Sequence, residues 1–466
     1  MKSILCVRAR SRTGGAFGAR QCAGAFKTPA RPRWPHEAAK LLRKSLEWAR
    51  LLERASALAL SVITLSTICG LFSASTPSLS AAAPPAKPNV LLIIADDLND
   101  WIAPMRGHPQ VQTPNLDRLA ARGLTFLNAQ CPAPICNPSR TAMFSGQRPT
   151  TTGVYDNQQP WMKHIPPKQC LNDYLRLHGF TSLAAGKIYH YRNYKPEEWD
   201  EVLYPRDDTL PNSPAARTPG PFGYRMFTEG EPQEPFQEQR AEEKLVDAQS
   251  VSWCSDQLKR QTNRFFMACG LHRPHTPWDV PKKYFDLYPL ENIRLPDVMT
   301  NDLADVPAAG VSFARPNAAH ADVTRAGLWR DRVRAYLAAI SFADAQVGRL
   351  LEALDQSAQR DNTIIVFVGD NGWHLGEKEH WAKSALWREA TRVPLIWVAP
   401  GVTQPGTRCE QPVDLMSVYP TLCELAGVPV PKHVDGISIK PLLAHPEAKW
   451  EQPAVVTHLP GNHAIC

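Results

Sequence analysis

The chain reads as an open α/β sandwich on a mostly parallel central sheet. Three observations predict it. Apolar runs of strand length carry no alternation, as strands buried on both faces do. Long amphipathic helical patterns lie between them. The two kinds of segment alternate along the chain rather than clustering.

The elements follow in order. PNVLLIIADD (Pro88–Asp97) is an unbroken apolar run that ends in two acids. RFFMACG (Arg264–Gly270) is a second such run. Arg330–Gln356 then places Val333, Tyr336, Leu337, Ile340, Val347, Leu350, Leu351 and Leu354 at helical spacing. NTIIVFVGDNG (Asn362–Gly372) and VPLIWVAPG (Val393–Gly401) complete the set of buried strands. Residues 204–238 and 286–323 are rich in Pro, Asp, Asn and Gly and are expected to be long loops, as rims, lids or insertions. No internal repeat is visible.

Composition narrows the function. The net charge of +7 comes from the beginning of the chain: residues 1–54 hold 13 Lys/Arg against 3 Asp/Glu, a net of +10, which leaves −3 for the remainder. The body is therefore not a nucleic-acid binder. The basic stretch LLRKSLEWARLLER precedes an apolar run from Ala55 to Ala74, and small residues follow in STPSLSAAAPPA. That order is that of a secretory signal, with cleavage expected near Ser80 or Ala83 and a periplasmic or secreted destination. A single membrane anchor is the alternative; Ser61, Thr64, Ser66 and Thr67 interrupt the run and disfavour a stable span. The bulky Ile68 before Cys69 argues against a lipidated cysteine. The boundaries expected are a basic leader and signal peptide over 1–80, a linker over 81–87 and one large domain over 88–466. None of the 11 cysteines forms a C-x-x-C, so neither a zinc site nor a redox pair is indicated, and no disulfide pairing can be read from their spacing.

In open α/β sheets ligands sit beyond the carboxyl ends of the strands. Asp96 and Asp97 end one strand; Asp370 and Asn371 end another. Neighbouring strands would bring these side chains together, and their carboxylates would repel. A divalent cation answers the repulsion, and an all-oxygen shell suits Ca²⁺, or Mg²⁺, over zinc. Each pair alone is also ordinary turn chemistry. Two pairs, each after a buried strand, favour a site.

CPAPICNPSRTAMFSG (Cys131–Gly146) looks like a loop feeding a helix, with Asn137 as N-cap and Pro138 at the first helical position. Cys136 would then precede the helix, where backbone N–H groups and the dipole favour an anion and acidify a thiol. The alternative is a packed, inert cysteine.

Cys136-Asn137-Pro138-Ser139-Arg140 resembles the C-x-P-S-R signature of type I sulfatases, formylglycine-dependent enzymes of the alkaline phosphatase superfamily. The surrounding residues 113–157, PNVLLIIADDLND (88–100) and residues 368–401 resemble that family too. AGKIYHY (185–191) and GLHRPHTPW (270–278) look most like its iduronate-2-sulfatase-like branch. The resemblance runs from Pro88 to the last residue. It implies an alkaline-phosphatase-like sandwich and an exported sulfatase acting on a sulfated sugar or polysaccharide, such as a 2-sulfated uronic acid or an algal glycan.

Site residues carry over one by one. Asp96, Asp97, Asp370 and Asn371 match calcium ligands, and Cys136 matches both a metal contact and the residue that a separate maturation enzyme oxidises to formylglycine. Arg140 matches the residue that braces formylglycine. Lys187 and His190 match the lysine and histidine beside it. His275 and Lys383 match the pair that contacts the sulfate, with His272 as the alternative to His275. In this reading the metal, Lys187 and Lys383 hold the sulfuryl oxygens, His275 protonates the departing alcohol, and His190 takes the proton that lets sulfate leave. Trp161, Trp278, Trp373, Trp381 and His374 are expected to shape a sugar pocket or to be core.

The family pattern continues beyond AVVTHLPGNHAIC into a small C-terminal subdomain, so that subdomain is expected to be largely absent here. Two other functions stay open: a phosphate or phosphonate monoester hydrolase of the same superfamily, and an inactive binding remnant.

Overall fold

Eight strands form the central sheet: β1 (Asn89–Asp96), β2 (Leu124–Phe126), β3 (Thr181–Gly186), β4 (Glu201–Leu203), β5 (Phe265–Pro274), β6 (Thr363–Gly369), β7 (Leu395–Val398) and β8 (Thr407–Cys409). Their order across the sheet is β8-β2-β7-β6-β1-β5-β3-β4. Only β7 runs against its neighbours; every other pairing is parallel. The computed structural model describes residues 4–5, 87–166, 168–190, 196–205, 242–278, 280–314 and 318–466. The leader read over 1–80 lies outside them apart from Ile4–Leu5, a short strand beside His463–Ile465, and so does all of the 81–87 linker but Lys87.

β1 sits at the centre because its sequence suits nothing else. All eight of its residues are buried. Alternate side chains enter opposite faces of the sheet. Leu91, Ile93 and Ala95 join one apolar cluster, and Val90, Leu92 and Ile94 join the other. The first cluster is covered by helices α1 (Pro114–Ala120), α4 (Val246–Arg260) and α5 (Trp329–Asp355). The second is covered by α2 (Cys136–Ser145), α3 (Leu171–Leu177) and α6 (Val418–Leu425). The eight apolar positions that predicted α5 are all buried in it.

The long loop expected over 286–323 is partly helical, with a 3₁₀ turn at Leu290–Asn292 and helices at Ala308–Ala314 and Ala318–Arg325. Alanine-rich turns such as AAGVSFA have the propensity for this despite the prolines around them. Of the other expected loop, 204–238, only residues 204 and 205 are described.

Parallel packing aligns the carboxyl ends of β3, β5, β1 and β6 along one edge. The closeness of β3 to β5 there depends on glycine. A Cβ on Gly270 would lie 1.9 Å from the carbonyl oxygen of Lys187, and one on Gly186, whose φ is +77°, would lie 2.0 Å from that of Gly270. Gly270→Ala is therefore expected to push β3 away and destabilise the fold by about 1–3 kcal/mol. A lowered thermal midpoint checks this.

Candidate active site

The strand edge collects the chemistry in sheet order. β3 leads into Lys187, β5 into His272 and His275, β1 into Asp96 and Asp97, and β6 into Asp370 and Asn371. Asp97 turns the chain with φ +61°, a left-handed conformation uncommon for aspartate. Its backbone is held on both sides: the N–H donates to Asp370 Oδ1 at 2.9 Å, and the carbonyl accepts from the Tyr336 hydroxyl of α5 at 2.7 Å. Asp370 Oδ1 also accepts from the Asn371 N–H at 2.9 Å, and Asn371 Nδ2 donates to Asp97 Oδ1 at 2.8 Å. The two acidic tips are thus one knot.

Helix α2 enters this knot from the other apolar layer. All ten of its residues are buried. It starts at Cys136 itself, with Ile135 as N-cap and no side-chain cap, rather than at Pro138. Asn137 is no cap, because its amide donates instead to the carbonyls of Asp156 and Gln159, both at 2.8 Å. One turn on, Arg140 is fully buried. Its guanidinium donates to Asp370 Oδ2 at 2.6 Å, to Asp96 Oδ1 at 3.3 Å, and to the carbonyls of Lys187 and Ile188. Ser139 Oγ donates to the Asp370 carbonyl at 2.5 Å.

Two lysines close the site. Lys187 Nζ pairs with Asp96 Oδ2 and lies 3.8 Å from Cys136 Sγ. Lys383 Nζ pairs with Asp97 Oδ1 and lies 2.7 Å from the same sulfur. Lys383 is set between two left-handed residues, Ala382 (φ +75°) and Ser384 (φ +71°), strain of the kind that accumulates at functional sites. His275 Nε2 is 3.6 Å from Asp97 Oδ2.

Burial sets the titration. It works to raise the Asp96 carboxyl, but Lys187, followed by His275, Arg140 and Lys383, holds that carboxyl well below the usual range. Asp370 is pushed up to about 7 by burial and by Asp96 and Asp97, against the pull of Arg140. Burial and then Asp96 push the Cys136 thiol far above its ordinary value, with Lys187 and Lys383 opposing. The acidified thiol expected from the helix start is therefore not found: burial and Asp96 outweigh the two lysines. His275 falls to about 4 and His190 to about 3, in both cases mainly through burial.

A family model described as Sulfatase matches residues 88–428. The chain belongs to the sulfatase family. It is 37% identical over 395 residues to a sulfatase of Formosa agariphila, covering 81% of this chain and 77% of that protein. It is 32% identical to iduronate 2-sulfatase of Homo sapiens, covering 79% of this chain and 74% of that one. Among solved structures, a phosphonate monoester hydrolase from Silicibacter pomeroyi shares the fold with a TM-score of 0.65 at 23% identity, over 79% of each chain. A 2-O GAG sulfatase does so at 0.58 and 23%, over 79% of this chain and 78% of that one. The protein is a sulfuric ester hydrolase of alkaline-phosphatase-like fold.

In this sulfatase the structure gathers Cys136, Arg140, Lys187, His275, Lys383, Asp96, Asp97, Asp370 and Asn371 into one cluster. His190 is half-buried and close enough to feel Lys187, Asp96 and Lys383. His272 lies beside the cluster: its Nδ1 receives Arg273 at 2.9 Å, and its ring packs edge-on to that of His275 at 4.9 Å. The aromatic residues resolve as core. Trp161 stacks on Tyr189 at 4.5 Å, and Trp278 packs edge-on to Tyr336 and Trp373. Trp381 and His374 are buried as well. Of these five, Trp373 comes nearest the chemistry, with Lys383 Nζ 5.7 Å from its ring centroid. Ser139, part of the signature but given no role from it, and Tyr336, read only as an apolar position of the long helix, also brace the knot.

The donor set suits a hard divalent cation. Asp96, Asp97 and Asp370 each offer an oxygen within 4.8 Å of the others. The buried Asp97 Oδ2 and Asn371 Oδ1 accept no hydrogen bond. The repulsion expected between the carboxylates is partly answered by Arg140, Lys187 and Lys383; what still calls for a cation is these two orphaned oxygens.

A carboxyl raised on folding holds its proton more tightly in the folded chain, so the stability it contributes is full below about 4 and lost as pH rises through about 7. Buried histidines held below their ordinary values add stability over the same interval, so the Asp370 effect is read as a difference: metal-free wild type should lose stability relative to Asp370→Asn between pH 6 and pH 8. Glu377, raised to about 8, adds a slope of the same sign. The part due to Asp370 is the part that Asp370→Asn removes and that added Ca²⁺ abolishes; scanning calorimetry at the two pH values checks it.

Proposed function

We propose that this sulfatase hydrolyses sulfate esters of a sulfated carbohydrate, using a formylglycine made from Cys136 and a divalent cation, Ca²⁺ by preference. The observation that carries this reading is the meeting of Cys136 Sγ with Lys187 Nζ and Lys383 Nζ directly above the acidic strand tips. Asp96, Asp97, Asp370 and Asn371, with residue 136, would hold the cation, which supplies Lewis acidity and lowers the pKa of a bound hydroxyl. A formylglycine at position 136, installed by a separate maturation enzyme, supplies the nucleophile.

The chain's own residues do the rest. Lys187 and Lys383 bring positive charge to the sulfuryl oxygens in a buried setting, where such charge acts strongly. Arg140 locks Asp370 and Asp96 and so fixes the base of the site. His275 protonates the leaving oxygen. Its Nδ1 faces the Thr276 carbonyl at 2.5 Å and so carries a hydrogen. Nε2 then gives up a proton only from the imidazolium, a form the anionic ester favours and burial opposes. His190, held neutral, accepts the proton that accompanies sulfate release.

The relatives named iduronate 2-sulfatase and ulvan-active sulfatase support a sugar substrate. The basic, apolar, small-residue order of the leader supports export to the periplasm or beyond. Among the described residues no helix is long and apolar enough to cross a membrane.

Mature protein should hydrolyse an aryl sulfate in preference to the matching aryl phosphate, and Cys136→Ala should abolish turnover. The reverse preference would assign it to the phosphonate monoester hydrolases whose fold it shares. Mass spectrometry of the peptide containing residue 136 should show the loss of two hydrogens and the exchange of sulfur for oxygen. Binding without turnover in protein so modified would mark an inactive remnant.

A further inference from the structure

β5 does not run straight into the site. β1 pairs with it in step from Val90–Phe266 to Ala95–Leu271, and then Asp96 faces Pro274. His272 and Arg273 are extruded between those pairings as a bulge, a feature that re-aims the residues beyond it. Both extruded amides turn to one side chain. The N–H of His272 donates to Asp247 Oδ1 at 2.6 Å, and that of Arg273 to Asp247 Oδ2 at 2.9 Å. Asp247 is the second residue of α4, only 2% exposed, and at a helix N-terminus, which favours its charge. The turn then continues rigidly: the His275 N–H donates to the His272 carbonyl at 3.0 Å, and Trp278 Nε1 donates to the Pro274 carbonyl at 2.7 Å. The outcome is His275 Nε2 standing 3.6 Å from Asp97.

We propose that Asp247 is a positioning residue for the leaving-group proton: by gripping both amides of the β5 bulge it fixes where His275 stands over the reacting sulfate ester. The inference rests on the sulfatase function and on His275 as the proton donor. Its chemistry requires a carboxylate. An asparagine of the same size keeps one acceptor oxygen and points an NH₂ at the second amide, so one hydrogen bond is lost and two donors collide. The bulge relaxes, and the imidazole moves with it. Displacement of a catalytic group by about 1 Å is enough to slow a reaction about 100-fold.

The test compares phenyl sulfate, whose poor leaving group needs the proton, with 4-nitrophenyl sulfate, whose good one departs without it. Asp247→Asn should lower kcat on phenyl sulfate about 10- to 100-fold with little change in KM, and lower it much less on 4-nitrophenyl sulfate. In a His275→Ala background the same substitution should change neither rate further, since interacting residues are not additive. Equal losses on the two esters, or an undiminished loss in the His275→Ala background, would show a merely structural role and overturn the proposal. If Asp247→Asn does not fold by circular dichroism, Asp247→Glu, which displaces the carboxylate by one methylene, is expected to show the same selective loss. Mature wild-type protein inert toward both esters overturns the sulfatase function itself, whereas an active wild type without the selective loss overturns only the role of Asp247.

Discussion

Everything at the active edge hangs on the buried contact between Arg140 and the carboxylates of Asp370 and Asp96. A guanidinium with no exposed surface is tolerable only when its donors are satisfied, and here two carboxylates and two backbone carbonyls take four of the five. The contact ties α2, which carries Cys136, to the ends of β1 and β6, and through the carbonyls of Lys187 and Ile188 to the end of β3. Four elements distant in sequence are thereby fixed to one another. Such an ion pair adds little net stability compared with apolar packing, but losing one partner is costly. Its value is geometric: Cys136 cannot drift from the acidic tips without stripping a buried charge of its partners.

Around that anchor the fold does simple work. A parallel sheet with helices on both faces delivers four strand ends to one line, so residues 273 positions apart, such as Asp97 and Asp370, come into contact. The charges are arranged in two tiers. The lower tier of Asp96, Asp97 and Asp370 is negative; the upper tier of Lys187 and Lys383 is positive and flanks residue 136. A divalent cation fits the lower tier and an anionic ester the upper. Burial amplifies both preferences by removing the screening that water would provide.

Much of this was legible in the sequence, for physical reasons. Unbroken apolar runs of strand length, rich in Val and Ile as NVLLIIAD is, suit strands covered on both sides, so sheet class and strand ends followed together. Asp-Asp and Asp-Asn-Gly at those ends marked the acidic tips. The motif resemblance located Lys187, His275 and Lys383, which no periodicity could have linked. What was not legible depended on tertiary packing. The N-cap rule placed the start of α2 two residues late, because Asn137 finds better acceptors in the carbonyls of Asp156 and Gln159. The helix-dipole argument for an acidic thiol ignored how deeply the site is buried. The tryptophans near the motifs are core. Asp247 offered one faint sign, a charged residue on the same helix face as Val251 and Cys254, which are buried.

The central claim is that the acidic tips form one metal site beneath residue 136. The most direct measurement is a crystal structure of the mature protein grown with CaCl₂. The account predicts a single strong density peak bonded to oxygens of Asp96, Asp97, Asp370 and Asn371 at about 2.3–2.6 Å. Crystals that show these side chains without an ion, with Lys187 and Lys383 still paired to Asp96 and Asp97, would contradict it.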